Sequence, residues 1–412
     1  MKIAIAGAVR TPIGNFGGSL KNVPAQDLAA LVLNETLRRA NLRPSLVEAV
    51  ILGQNYQSGE YVNIARMSLL KAGWPVEIPG FSIDRRCPSG LDAVCLAAMM
   101  VQTETAGIVA AGGVESMSTA ELYLKGDVRW GVGGTGNMPQ GHGDLSTWSL
   151  PLYDRILRAR VMSQPEERFG VLPSMMTWAE TAAAEHNLSR GEVDEWSLLS
   201  NQKACAAIKS GKFNEEIVPV PIPQRRGEPV LFSQDERPRS DTSLEALSRL
   251  RPVLGGVCTA GNSSGENDGA AACLVMSEEN ARELNAKPLA YLKAFAFSGA
   301  DPRYAWKSVP TAVAAALKKA GLSIEQIDLI ELHEAFAAQT LANMRELGIS
   351  KKDYDKVNVN GSCIALGHPL GATGTRILTT LVYEMRRRQA RYGLVGICGG
   401  GGMGVSAVVE RA

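Results

Sequence analysis

The chain has 412 residues, 45% apolar and 21% charged, enough to bury a large core shared by two or more domains. Its formal net charge of +1 gives no overall field for nucleic acid or an anionic membrane, so any anion site must be a local basic cluster. Seven cysteines, without paired C-x-x-C spacing, argue against a disulfide framework and structural zinc; no apolar run reaches the roughly 20 residues of a bilayer span.

Residues 3–9 are apolar and precede Arg10, too short a run for a secretory leader, and predict a first strand. The C-terminal Glu410-Arg411-Ala412 is no peroxisomal address, and a cytoplasmic location is expected. Leu37-Arg38-Arg39-Ala40-Asn41-Leu42 closes an amphipathic helix, and after Pro44 comes an apolar strand over 47–52. Cys87-Pro88-Ser89-Gly90 opens a second helix 45 residues after Leu42, and a buried strand over 107–111 then runs into Gly112-Gly113.

From about 119 to 255 the pattern breaks, with glycines at 131–136, Gly141-His142-Gly143 and a polar stretch over 224–243. This insert contains a helical part within 177–210, where Ser189 and Glu192 form a capping box. It is compatible with a lobe contacting substrate or with a packing or oligomerisation arm.

The earlier order then recurs about 280 residues on. Leu317-Lys318-Lys319-Ala320-Gly321-Leu322 ends a helix, a strand follows over 327–332, Gly367-His368-Pro369 opens another helix, and a strand over 393–397 runs into Gly399 to Gly402. Two similar β-α-β halves with mainly parallel sheet are predicted, packed with equivalent helices face to face. The division is 1–118 for the first half, 119–255 for the insert, 256–275 returning to the first half and 276–412 for the second.

Four positions could do chemistry. Cys87 stands after Arg85-Arg86 at a helix N-terminus, which favours thiolate, although a small buried hydrophobe fits as well. His368 is one of four histidines and matches Cys87 in the second copy to within a residue, so pseudo-twofold packing would bring imidazole toward thiol. The three glycines and proline of 367–374 imply a tightly turned backbone around it. Cys398 enters a run of four glycines whose N–H groups a ligand can approach. His333 follows a strand at its carboxyl end, where ligands bind in α/β sheets, and the histidines show no metal-ligand spacing, so no metal is expected.

Together the motifs resemble the thiolase family over nearly the whole chain. Val9-Arg10-Thr11-Pro12-Ile13-Gly14, Cys87-Pro88-Ser89-Gly90, Gly112 to Ser118, Thr259 to Ala270, His333-Glu334-Ala335-Phe336, Val357 to Gly361, Gly367-His368-Pro369 and Cys398 to Gly404 stand in family order. The resemblance implies a five-layered αβαβα fold with an inserted loop domain over coenzyme A. It also implies homodimers or homotetramers, with association to other acyl-CoA pathway enzymes open. Coenzyme A and acyl-CoA would be substrates, with no permanently bound cofactor.

By the same resemblance, Cys87 attacks a carbonyl and carries the acyl group, His368 accepts its proton, and Cys398 moves the proton at the α-carbon. His333 and His368 would hold the enolate oxygen, and the backbone N–H groups of Cys87 and Gly400 the tetrahedral oxyanion. Ser264 and Ala260 fall beside the pantetheine, Phe336 near the thioester channel, Met175 on the loop domain, and Arg239 toward the adenine nucleotide.

Some residues depart from the family pattern. His333 replaces the common Asn, resembling thiolases of β-oxidation more than short-chain biosynthetic ones. Pro88 and Ser362-Cys363 replace glycine-containing positions, Trp178 replaces a small residue, and the insert is long over 129–168. A decarboxylating ketoacyl synthase lacks Cys398; a catalytically silent scaffold would not need these four residues intact.

Overall fold

A computed structural model describes residues 1–126 and 151–412. The glycine stretches at 131–136 and 141–143, and most of the long insert segment, lie outside the described residues. Ten strands form one hydrogen-bonded sheet system. Its order is Leu329–Leu332, Tyr392–Gly399, Met403–Arg411, Pro288–Gly299, Ile3–Arg10, Asn267–Ser277, Ile108–Ser116, Ala49–Gly53, Gly80–Ile83, with Gly14–Asn15 paired to Asn267–Ser277.

The sheet is mixed rather than mainly parallel. Parallel pairing is confined to the ends, where Ala49–Gly53 joins both its neighbours and Leu329–Leu332 joins Tyr392–Gly399. The intervening pairs are antiparallel. Parallel neighbours need a long crossover, whereas Tyr392–Gly399 returns through a short glycine turn into Met403–Arg411.

Two helices lie at the centre, Ser89–Gln102 and Leu370–Arg388. Between them and the inner sheet face is one apolar core with Ile5, Leu91, Val94, Ile377, Leu381 and Ile397. The outer faces are covered separately, by Ala25–Ala40 through Leu28 and Leu33 and by Ser308–Ala320 and Ala337–Glu346 through Val309, Val313 and Leu341. Helix, sheet, paired helices, sheet and helix make the five layers.

The pairing of the halves is visible in their caps. Asn41 and Gly321 both take left-handed φ, +55° and +69°, and the next N–H bonds back to Leu37 in one half (3.0 Å) and to Leu317 in the other (3.1 Å). Within the insert, helices span Met176–Glu185 and Arg190–Lys209, the second begun by the Ser189–Glu192 capping box. The insert is tied to the first strand by Arg10, whose fully buried guanidinium meets Glu216 at 2.7 Å and Asp235 at 2.7 Å.

Glycines set how closely the central helices approach. A Cβ on Gly90 would sit 2.7 Å from the Gly371 carbonyl oxygen, and one on Gly374 2.2 Å from the Leu91 nitrogen. The 367–374 segment is therefore not one continuous turn. Gly367, at φ +111°, makes the turn, while Gly371 and Gly374 lie inside the helix and serve interhelical contact.

Candidate active site

Cys87 follows Arg86, whose left-handed φ of +59° turns the chain, and Pro88 then caps Ser89–Gln102. The sulfur is half-buried at the floor of a cavity of about 770 Å³, within the range of small-molecule sites. Across the central helix pair, His368 precedes Leu370–Arg388, and its Nε2 lies 3.1 Å from the Cys87 Sγ.

The loop at 259–265 bridges to the segment after Leu332. Ser264 N–H donates to the Ala335 carbonyl at 2.9 Å, and Ala337 N–H to the Asn262 carbonyl at 2.9 Å. Those bonds bring Ala260 and Ser264 beside Phe336, and Trp178 of the insert packs edge-on to Phe336 at 5.1 Å between ring centroids. Met175, Arg239, Ala260, Ser264, Phe336, His368 and Gly400 all line the cavity with Cys87.

His333 and Cys398 are fully buried behind that floor. The Cys398 Sγ is 3.7 Å from His333 Nδ1, and the His333 and His368 rings stand 4.4 Å apart. The Nε2 of His333 has no partner among the described residues. Ligand atoms of Cys87, His333 and His368 lie within 4.8 Å of one another, close enough to chelate a soft cation. The 3.1 Å thiol–imidazole contact is equally that of a nucleophile and its base.

Burial governs the protonation states. It pushes the Cys87 thiol up to about 12, with Cys363 adding to the rise, while Arg86 and the N–H groups of Cys87 and Gly400 oppose it. Desolvation of the sulfur opposes the thiolate that the helix terminus favours. Arg85 adds little charge here, since it is engaged by Asp92 at 2.9 Å. Burial also holds His368 well below its ordinary value, helped by His333 and Arg376, and lowers His333 to about 3, helped by Arg376. Cys398 is raised by burial and then by Cys87. Both shifts favour neutral thiol and neutral imidazole in the resting pair.

Several supporting residues carry no conspicuous sequence signal. Thr373 Oγ1 lies 2.7 Å from His368 Nδ1 and donates its own hydrogen to the Pro369 carbonyl at 2.9 Å. The Nδ1 of His368 is thereby assigned as donor, which leaves Nε2 as acceptor toward Cys87. Asn267 accepts from the His368 backbone N–H at 2.8 Å. Buried Glu334 accepts from Ser200 at 2.8 Å, Asn358 at 2.8 Å and Trp196 at 3.1 Å, fixing the segment that carries His333. Glu115 receives the N–H groups of Asn55, Tyr56 and Gly371, linking the two halves. A buried carboxylate needs such donors, so glutamates inside apolar motifs were the available clue.

The departing residues are also placed. Pro88 packs on Gly399, where an added Cβ would lie 2.6 Å from its Cδ. Cys363 lies behind the cavity wall, with its sulfur 2.9 Å from Arg376 Nη2.

Comparison with known proteins identifies the family. The family model described as "Thiolase, N-terminal domain" matches residues 3–279, and "Thiolase, C-terminal domain" matches 286–411. The acetyl-CoA acetyltransferase of Chromobacterium violaceum is 44% identical, covering 100% of both chains; that of Cupriavidus necator is 43% identical, covering 99% of both. The crystal structure of the Bacillus anthracis acetyl-CoA acetyltransferase superposes with TM-score 0.90 at 40% identity, covering 100% of this chain and 99% of the other. Human mitochondrial 3-ketoacyl-CoA thiolase does so at 0.90 and 35%, with the same coverage.

Proposed function

The chain belongs to the thiolase family, and on that premise we propose that it is an acyltransferase cleaving 3-ketoacyl-CoA with coenzyme A, or running the reverse condensation, through acyl-Cys87. The observation that carries this reading is one cluster: Cys87 on His368 at 3.1 Å, His368 beside His333 at 4.4 Å, and His333 on Cys398 at 3.7 Å.

In cleavage, the Cys87 sulfur bonds to the 3-keto carbon as its proton passes to His368 Nε2. No standing ion pair is needed, because the transfer accompanies attack. The C2–C3 bond breaks, and the acetyl-CoA enolate takes a proton from Cys398. Its oxygen is held by His333 Nε2 and by the newly protonated His368. The tetrahedral oxyanion at Cys87 falls to the N–H groups of Cys87 and Gly400. The thiol of coenzyme A then attacks the acyl carbonyl, its proton restoring the Cys398 thiol, and the C–S bond to Cys87 breaks as that sulfur recovers its proton from His368.

Coenzyme A and acyl-CoA are diffusible substrates here, with no resident cofactor. The lobe over 119–255 would cover coenzyme A, with Met175, Arg239, Ala260, Ser264 and Phe336 along it. His333 in place of Asn favours a degradative, β-oxidation type of role over acetoacetyl-CoA synthesis. Cytoplasmic homodimers or homotetramers fit the family pattern, and no described helix is long and apolar enough to cross a membrane. Incubation with acetoacetyl-CoA and coenzyme A should yield acetyl-CoA and an acetylated Cys87 peptide. Absence of both would mean a silent scaffold.

A further inference from the structure

The part of the cavity beside Cys87 holds more positive charge than thiolysis of a simple acyl chain uses. Arg160, on the insert helix Arg155–Val161, lines it together with Arg86, Tyr56 and Glu266. Arg160 Nη2 pairs with Glu266 Oε1, and their side chains remain 32% and 30% exposed, so the pair forms open cavity wall. Among the described residues, that is the one bond made by the Arg160 guanidinium, and neither the Arg86 guanidinium nor the Tyr56 hydroxyl has a partner.

These groups share one neighbourhood with the reacting residues. Burial and Glu115 raise the Tyr56 phenol, while Arg160, Arg86 and Cys87 all act on it; Arg160 also disfavours protonated His368. Arg86 precedes the nucleophile itself, so this is the reactive end of the cavity. The phosphates of coenzyme A would lie a full pantetheine arm away. Of the charged side chains lining this end, two are guanidiniums and one is a carboxylate, while buried Glu115 behind Tyr56 is already taken up by the N–H groups of Asn55, Tyr56 and Gly371.

An aliphatic acyl chain would strip water from that charge without compensating it. A carboxylate would instead receive charge-assisted hydrogen bonds from the unused edges of Arg160, from Arg86 and from the phenol. We propose that this thiolase takes 3-ketoacyl-CoA whose acyl chain ends in a carboxylate, with Arg160 as its receiving residue and Glu266 as the group it displaces. The inference rests on the thiolase reading. The covalent chemistry is unchanged: the C2–C3 bond breaks, acetyl-CoA leaves protonated, and Cys87 carries the acyl group with its free carboxylate until coenzyme A takes it.

The test is kcat/KM for matched pairs of six- and eight-carbon 3-ketoacyl-CoAs, one member ending in carboxylate (3-oxoadipyl-CoA in the shorter pair) and the other in methyl, with acetoacetyl-CoA alongside. At least one pair should favour the carboxylate by about tenfold or more. Arg160→Gln should collapse that ratio toward unity, and Glu266→Gln should raise it. Turnover of acetoacetyl-CoA with no carboxylate preference in either pair, or a ratio unmoved in Arg160→Gln, overturns the carboxylate proposal and leaves the thiolase reading standing. Turnover of none of these thioesters would remove both.

Discussion

Thr373 sits 2.7 Å from the Nδ1 of His368, and because its own hydrogen goes to the Pro369 carbonyl it can only accept from the ring. The contact orients the imidazole and selects the tautomer whose Nε2 faces Cys87. Thr373→Val keeps the shape and removes the acceptor, leaving a buried N–H unpaired. It should lower kcat/KM for acetoacetyl-CoA thiolysis by roughly 10–100-fold and slow Cys87 alkylation by iodoacetamide in parallel. Thr373→Ser should restore most of both. If Thr373→Val alkylates at the wild-type rate, the tautomer is fixed by something else.

A neutral resting pair has a pH signature. Burial pushes the Cys87 thiol up to about 12 and holds His368 well below its ordinary value, so the imidazole should not gain a proton near its ordinary value of about 6.5. Consequently kcat/KM should show no break near 6.5. Alkylation by the uncharged iodoacetamide should keep rising with pH through 9, since thiolate remains a minor species throughout. A plateau beginning below pH 7 would instead reveal a thiolate–imidazolium pair.

His333 yields a stability prediction. Its folded value is lowered to about 3, burial being the largest cause, so between about 3 and 6.5 the unfolded chain binds a proton that the folded chain refuses. Stability from this group is fully present above 6.5 and is lost as pH falls toward 3. Replacing it with Asn removes that dependence. The difference in unfolding free energy between wild type and His333→Asn should shift in the variant's favour by roughly 1–2 kcal/mol from pH 6.5 to 5, read from urea denaturation. A pH-independent difference would mean that His333 is protonated in the folded protein.

Cys398 and Cys87 should separate experimentally. The Cys398 sulfur contacts His333 and is fully buried, while Cys87 opens to the cavity. Cys398→Ala should therefore still be acetylated at Cys87 by acetyl-CoA but lose exchange of the acetyl α-hydrogens with solvent. Mass spectrometry in deuterated water reads both, and persistent exchange would reassign the proton shuttle.

The site was legible where chemistry and repetition coincide. Cys87 and His368 could be paired because they begin equivalent helices, and Cys398 stood out beside its glycines. Sheet direction was less legible, since an apolar strand run carries no sign of its neighbour's orientation and the antiparallel centre depends on long-range pairing. Thr373, Glu115 and Glu334 lie within the motif segments without a sign of their roles, because their function is to satisfy donors and acceptors remote in sequence. The protonation of Cys87 was not legible from its helix terminus, because local sequence does not report the depth of desolvation.

Gly374 joins fold and chemistry most directly. Its missing side chain lets Leu370–Arg388 lie against Ser89–Gln102, and an added Cβ would fall 2.2 Å from the Leu91 backbone nitrogen. That obstacle is main chain inside a helix, so it cannot rotate aside, and one helix must move. The displacement would act on the elements that carry Cys87 and His368, whose 3.1 Å contact leaves little room before the hydrogen bond is lost. Gly374→Ala should destabilise the protein by roughly 1–3 kcal/mol and reduce Cys87 acylation beyond what the unfolded fraction explains. Wild-type acylation per folded molecule would show that the reacting pair is held by its loops and not by the helix packing.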